Sequence, residues 1–205
     1  VLFLALFVAL MAISSPSATQ PRIVALGDSL MAGYGLAPDD GLVPQLQRWL
    51  DAHGAARFEM VNMSVSGDTT EGGRARLEWA LADGAAAVIV ELGANDMLRG
   101  IDPSTTRANL DAILARLAAR DLPVLLVGMR AAANFGPEYK RAFDAIYPEL
   151  AERYGAILDP FILEGFVGEP AYFQDDGLHP NAAGIALIVE RLGPLVLDLI
   201  AMENE

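Results

Sequence analysis

"IVALGDSL", residues 23–30, carries four apolar residues straight into Gly, Asp and Ser. The apolar residues do not alternate with polar ones. A strand of that kind has no wet face and reads as buried on both sides of a sheet. The same event recurs twice, in "VNMSVSGDTTEGG" (61–73) and in "VIVELGAND" (88–96). Loops rich in Ser, Gly, Asp and Thr usually do no more than turn the chain. Three of them, each closing a strand pattern, are either three ordinary turns or three walls of one site.

Working outward, strand patterns fall at 23–26, 58–63, 87–92, 124–129 and 156–158. Helical patterns lie between and after them, at 42–53, 70–82, 104–120, 138–154 and 180–200. The third shows helical spacing through Leu110, Ile113, Leu114 and Leu117, with Pro103 and Ser104 as start signals. An alternating series of strands and helices predicts an α/β fold, with a parallel five-stranded sheet covered by helices on both faces. Ligands of such sheets bind outside the carboxyl ends of the strands. The segments 27–29, 66–69 and 93–96 all follow a strand, so all three are expected at one edge.

The chain has 205 residues, which suits one domain. It contains no cysteine, which excludes disulfides, thiol catalysis and Cys-type zinc sites. Its two histidines, His53 and His179, are too few for a multi-His metal centre. Acidic residues outnumber basic ones 27 to 14, giving a net charge of −13. That balance argues against nucleic acid and anionic membrane surfaces as partners.

The first 13 residues, "VLFLALFVALMAI", are continuously apolar and are followed by "SSPSATQP". The run is short for a membrane span and suits a signal-peptide core. Residues 1–20 are therefore expected to be an export signal or hydrophobic N-terminal segment, with the domain at 21–205. Periplasmic or secreted localisation follows as an expectation, with membrane contact only through an uncleaved N-terminal segment.

Ser29 lies where a strand turns into a helical or looped segment. Backbone N–H groups there favour developing negative charge, but a serine in that place can equally cap a helix. "DDGLHPNAAG" (175–184) offers a base. Histidine accepts protons near neutral pH, and His179 has Asp176 three residues before it to hold its tautomer. Gly177 permits a tight bend. Pro180 favours an extended His179 and fits a first helical position. An Asx turn with a surface histidine is the plainer alternative. Asp175 reads as solvated or structural, and His53, beside Gly54 at a helix end, as structural. Acyl transfer also needs donors for an oxyanion. Gly67 can offer an unobstructed N–H, Ser29 its own N–H, and Asn95 a side-chain amide.

These segments together resemble the GDSL, or SGNH, hydrolase family, whose four blocks supply Ser, Gly, Asn and His. Here they are "GDSL" with Asp28 and Ser29, "SGDTT" with Gly67, "GAND" with Gly93, Asn95 and Asp96, and "DGLHP" with Asp176 and His179. All four occur in family order, from about Arg22 to Pro194. The resemblance implies a flavodoxin-like three-layer α/β/α sandwich. It implies a Ser29 nucleophile, a His179 base and an Asp176 partner. The implied oxyanion hole uses the Ser29 and Gly67 backbone N–H groups and the Asn95 amide, with Asp28, Gly93 and Asp96 in support. No metal or cofactor is implied, and a monomer is expected. "VNMSVSGDTTEGGRARL", "VELGANDMLRGIDP", "FDAIYPELAERYG" and "FQDDGLHPN" are similar to the bacterial thioesterase I, lysophospholipase and arylesterase branch. That branch implies acyl ester and thioester substrates cleaved through an acyl-enzyme. "GAND" has alanine where the branch often has glycine.

Two rival readings stand beside this one, the second of a different class. A carbohydrate O-deacetylase would use the same fold, but "MLRGI" and "AAANFG" near the expected site are more apolar than a sugar site needs. A non-catalytic flavodoxin-like binding module would lack a purpose for the pairing of Asp176 with His179, and no G-x-G-x-x-G or P-loop is present. An α/β-hydrolase would place Ser29 in a G-x-S-x-G elbow, which is absent.

Overall fold

The computed structural model describes residues 20–202, so the apolar run at 1–13 lies outside the described residues. From the N-terminal side come β1 (Arg22–Gly27), α1 (Ser29–Ala32), α2 (Leu42–Ala52), β2 (Glu59–Asn62), α3 (Thr70–Ala80) and β3 (Ala87–Glu91). Then follow α4 (Ala94–Leu98), α5 (Pro103–Ala118), β4 (Val124–Val127), α6 (Pro137–Asp144), α7 (Ile146–Tyr154), β5 (Ile157–Asp159) and α8 (Ala182–Met202). The five strands form one parallel sheet in the order β2-β1-β3-β4-β5. One register row runs Asn62, Ala25, Ile89, Leu125, Ile157 across all five.

The continuous apolar runs explain this architecture. Ile23 to Leu26, Ala87 to Val90 and Val124 to Val127 are all buried, as strands covered on both faces must be. Helices α2 and α8 pack on each other, while α3, α5, α6 and α7 form the second group. Gly193 of α8 permits the close approach to α2, since a Cβ there would sit 2.5 Å from the Trp49 ring. Strand order reverses beside β1, where ligand crevices open in doubly wound sheets. The loops after β1, β2 and β3 leave the sheet together at that point.

Three local readings change. The helical pattern at 138–154 is two helices separated at Ala145. Pro148 has no N–H to give the Asp144 carbonyl, and its ring crowds the preceding turn. The last helix begins at Ala182 rather than at Pro180. Asn181 caps it, its Oδ1 accepting from the amides of Ala183 (3.0 Å) and Gly184 (3.1 Å). Pro180 instead forms an isolated antiparallel bridge with Phe173. Finally, α1 and α4 span only four and five residues, too few to show a helical period. No helix among the described residues is long and apolar enough to cross a membrane.

Candidate active site

At the end of β1, Gly27 passes so close to its surroundings that a Cβ would meet Met31 Cβ at 2.5 Å. Asp28 follows, fully buried, and it is Asp28 that caps α1: its Oδ1 accepts from Leu30 N at 3.1 Å. Ser29 is therefore the first helical residue and is not itself the cap. Gly33, at φ +80°, ends the helix after one turn.

The hydroxyl of Ser29 meets the far end of the chain. Ser29 Oγ lies 2.9 Å from His179 Nε2, and His179 Nδ1 lies 2.6 Å from Asp176 Oδ2. A proton on Nδ1 satisfies Asp176 and leaves Nε2 free to accept from the serine. The other carboxylate oxygen of Asp176 accepts from the backbone amides of His179 (3.0 Å) and Leu178 (2.9 Å). These bonds, the His179 amide foremost, pull the Asp176 pKa down to about 2. Gly177, at φ +66°, makes the bend that lets one carboxylate reach both. The Tyr34 ring lies 4.6 Å from the imidazole, and Gln174 Nε2 ties this loop to the Tyr34 carbonyl at 2.8 Å.

The "SGDTT" and "GAND" loops complete the surroundings. Gly67 has φ +83°, a conformation that strains any residue with a Cβ, and its carbonyl accepts from Arg99 Nη2 at 2.6 Å. Gly93 has φ +120°, and a Cβ there would stand 2.2 Å from the Tyr147 hydroxyl. Asp96 is buried and joins the two loops. It accepts from Thr70 N at 2.8 Å, Thr70 Oγ1 at 2.5 Å and Thr106 Oγ1 at 3.2 Å. Asn95 donates through Nδ2 to Asp28 Oδ2 at 3.1 Å, which leaves its second amide N–H uncommitted. Among the described residues, the backbone N–H groups of Ser29 and Gly67 likewise meet no acceptor. Three donors thus stand unused around the loops that carry the serine.

All eight residues singled out in the four motifs occupy this one edge of the sheet. Asp175 is exposed, as expected, and lines an adjoining cleft. His53 caps the end of α2 and stacks on Trp49 at 3.7 Å, a structural role. Two residues escaped the sequence reading. Arg76 of α3 donates to the carbonyls of Gly27 (2.8 Å) and Met63 and to Asp68 Oδ2 (2.5 Å), linking the ends of β1 and β2 to the Gly67 loop. Glu91 is buried at the end of β3, its Oε2 accepting from Asp28 N at 3.3 Å. Its signal was a carboxyl inside a strand otherwise apolar on both faces.

Burial raises both neighbouring carboxyls. Asp28 is pushed up to about 6, mainly by loss of water. Glu91 is raised well above the ordinary carboxylate range by burial first and then by the charge of Asp28. A cleft of about 1060 Å³ adjoins the site, with Met97, Leu98, Met129, Phe135, Phe161 and Leu178 among its walls. Met97 and Leu98 follow Asn95 on α4, and Leu178 precedes His179, whereas Ser29 and His179 are not in its wall.

A seryl hydroxyl on an imidazole, a carboxylate behind it and unused N–H donors beside it can perform nucleophilic acyl transfer. Comparison with known proteins agrees. Residues 25–187 match the GDSL-like lipase/acylhydrolase family. The chain is 38% identical over 193 residues to Esterase TesA of Pseudomonas aeruginosa, covering 94% of this chain and 95% of that one. It is 37% identical over 196 residues to Thioesterase 1/protease 1/lysophospholipase L1 of Escherichia coli K12, covering 93% and 92%. The crystal structure of AlinE4, an SGNH-hydrolase family esterase, superposes with a TM-score of 0.74 at 43% identity, covering 87% of this chain and 96% of that one. This chain belongs to the GDSL-like lipase/acylhydrolase, or SGNH hydrolase, family and is a serine esterase of that family.

Proposed function

We propose that the chain hydrolyses acyl thioesters, lysophospholipids and aryl or short-to-medium acyl esters through an acyl-enzyme on Ser29. The observation that carries this reading is the unbroken relay from Ser29 Oγ to His179 Nε2 and from His179 Nδ1 to Asp176. Ser29 Oγ attacks the acyl carbonyl carbon as His179 Nε2 takes its proton. The carbonyl oxygen becomes an oxyanion, received by the N–H groups of Ser29 and Gly67 and the free N–H of Asn95. The intermediate collapses, the bond to the leaving thiol or alcohol breaks, and His179 returns the proton to the departing sulfur or oxygen. Water then repeats the sequence on the acyl-enzyme, releasing the carboxylic acid and restoring Ser29. Asp176 stays ionised throughout, because its backbone bonds favour the charged form.

The apolar walls of the adjoining cleft support an acyl chain as the bound group, and the names of the relatives support the same substrate classes. The apolar segment at 1–13 supports export to the periplasm or medium, which cell fractionation tests directly. Activity is tested with acyl-CoAs, p-nitrophenyl esters of graded length, lysophospholipid and acetylated sugars. Turnover of the first three classes with little on the sugars is the expected result. Preference for acetylated sugars would replace this reading with a deacetylase.

A further inference from the structure

We propose that Glu91 is a positioning residue of the catalytic site: from beneath the β1–α1 junction it holds Asp28 in the place from which Asp28 fixes the Asn95 amide. The geometry is a short chain of buried groups. Glu91 Oε2 accepts the Asp28 backbone N–H at 3.3 Å, which brings the two carboxyl groups together. Asp28 then has two acceptor oxygens with separate duties. Oδ1 takes Leu30 N at 3.1 Å and Oδ2 takes Asn95 Nδ2 at 3.1 Å. Both carboxyls are buried, so neither bond competes with water.

Two carboxylates in contact away from water cannot both remain charged. Glu91 is the one that keeps the proton, since burial and the neighbouring Asp28 charge both raise its pKa. Other groups facing it are the Met31 amide and the Tyr147 hydroxyl from α7, the latter itself raised chiefly by burial. A charged His179 favours the ionised form of Asp28. Among the described residues Glu91 makes no ion pair. A neutral Glu91 therefore donates, an ionised Asp28 accepts, and Asn95 is left with one N–H aimed away from Asp28.

The inference rests on the acyl-hydrolase reading of Asn95, but part of its test needs no substrate. Infrared spectra of the whole protein at neutral pH should show a protonated carboxyl band that disappears in Glu91→Gln. Absence of that band overturns the proposal and leaves the esterase reading standing. In turnover, Glu91→Ala should lower kcat on the order of 10- to 100-fold with KM little changed, because it misplaces a catalytic group. Glu91→Gln supplies a neutral donor and acceptor of the same shape and should recover most of that loss. It should also flatten the fall in kcat toward alkaline pH that ionisation of Glu91 causes in the wild type. A loss in Glu91→Gln as large as in Glu91→Ala would refute the role. In an Asn95→Ala background Glu91→Ala should add little, as expected of residues acting through one another. An undiminished additional loss there would assign Glu91 to structure alone.

Discussion

Asn95 Nδ2 lies 3.1 Å from Asp28 Oδ2, across 67 residues of sequence. One amide N–H is thereby fixed in space and the other is aimed. A donor positioned in advance acts mainly where negative charge exists, near the transition state. Asn95→Ala should therefore lower kcat by about 10²–10³ with a much smaller change in KM. Steady-state kinetics on a p-nitrophenyl ester separates the two constants. A rise in KM alone would make Asn95 a binding residue.

Gly67 should behave differently. Its donor is a backbone N–H, and its φ of +83° disfavours every side chain. A Cβ would have room, the nearest atom being Arg99 Nη2 at 3.8 Å, so the penalty of Gly67→Ala is conformational and not steric. The loop should shift, and both kcat and KM should worsen. A crystal structure of the variant would show whether the 66–69 backbone has moved.

Ser29→Ala should abolish turnover by on the order of 10³ or more while the thermal melt stays near that of the wild type. An organophosphonate should label the wild type at Ser29 alone, as read by peptide mass mapping. Loss of His179 on top of Ser29→Ala should cost almost nothing further, since the two act as one unit.

Asp96 touches no reacting atom in the proposed mechanism, yet its removal should be felt twice. Asp96→Ala leaves the Thr70 amide and hydroxyl buried without their acceptor. Each unsatisfied group costs roughly 1–3 kcal/mol, so the melting temperature should fall. Activity should fall too, because the 66–69 loop loses its tie to α4. Chemical denaturation gives the first effect and kcat/KM the second.

The pH dependence has a definite sign. Folding raises the Asp28 pKa from 3.8 to about 6. The stability contributed by this carboxyl is fully present below its ordinary value and is lost as pH rises through about 6. Wild-type stability measured against Asp28→Asn should therefore decline over that window, on the order of 1–3 kcal/mol. Activity should move the opposite way. It should rise with pH as Asp28 becomes the charged acceptor of Asn95. Asp28→Asn keeps one acceptor oxygen where two are needed, so it should also lower kcat. A stability difference independent of pH would mean that Asp28 titrates alike in both states.

Much of this site was legible because the chemistry leaves few choices of residue. Ser29 is the hydroxyl at the end of β1 that suits the proposed nucleophile, and His179 suits the proposed base, since His53 lies at a helix end. The sheet was legible because Ile23 to Leu26 and Val124 to Val127 have no polar alternation. What was not legible depends on partners distant in sequence. Glu91 faces Asp28 from 63 residues away, and although its place in an apolar strand marks it as unusual, nothing local names its partner. Arg76 sits in a helix where an arginine ordinarily points to water. The start of α8 was misplaced by two residues because Pro180 fits a first helical turn, while the better cap, Asn181, comes next.

The order in which the chain is made gives the relay from Ser29 to His179 a further meaning. The proposed nucleophile emerges from the ribosome early and its proposed base 150 residues later. Contacts so remote in sequence close late, because chain entropy opposes them until the intervening structure is in place. A nascent chain stopped before residue 176 would hold all five strands of the sheet and a serine without its proposed base. Hydrolytic power should thus wait until the segment carrying Asp176 and His179 reaches Ser29, and active-site labelling by a phosphonate would time that contact.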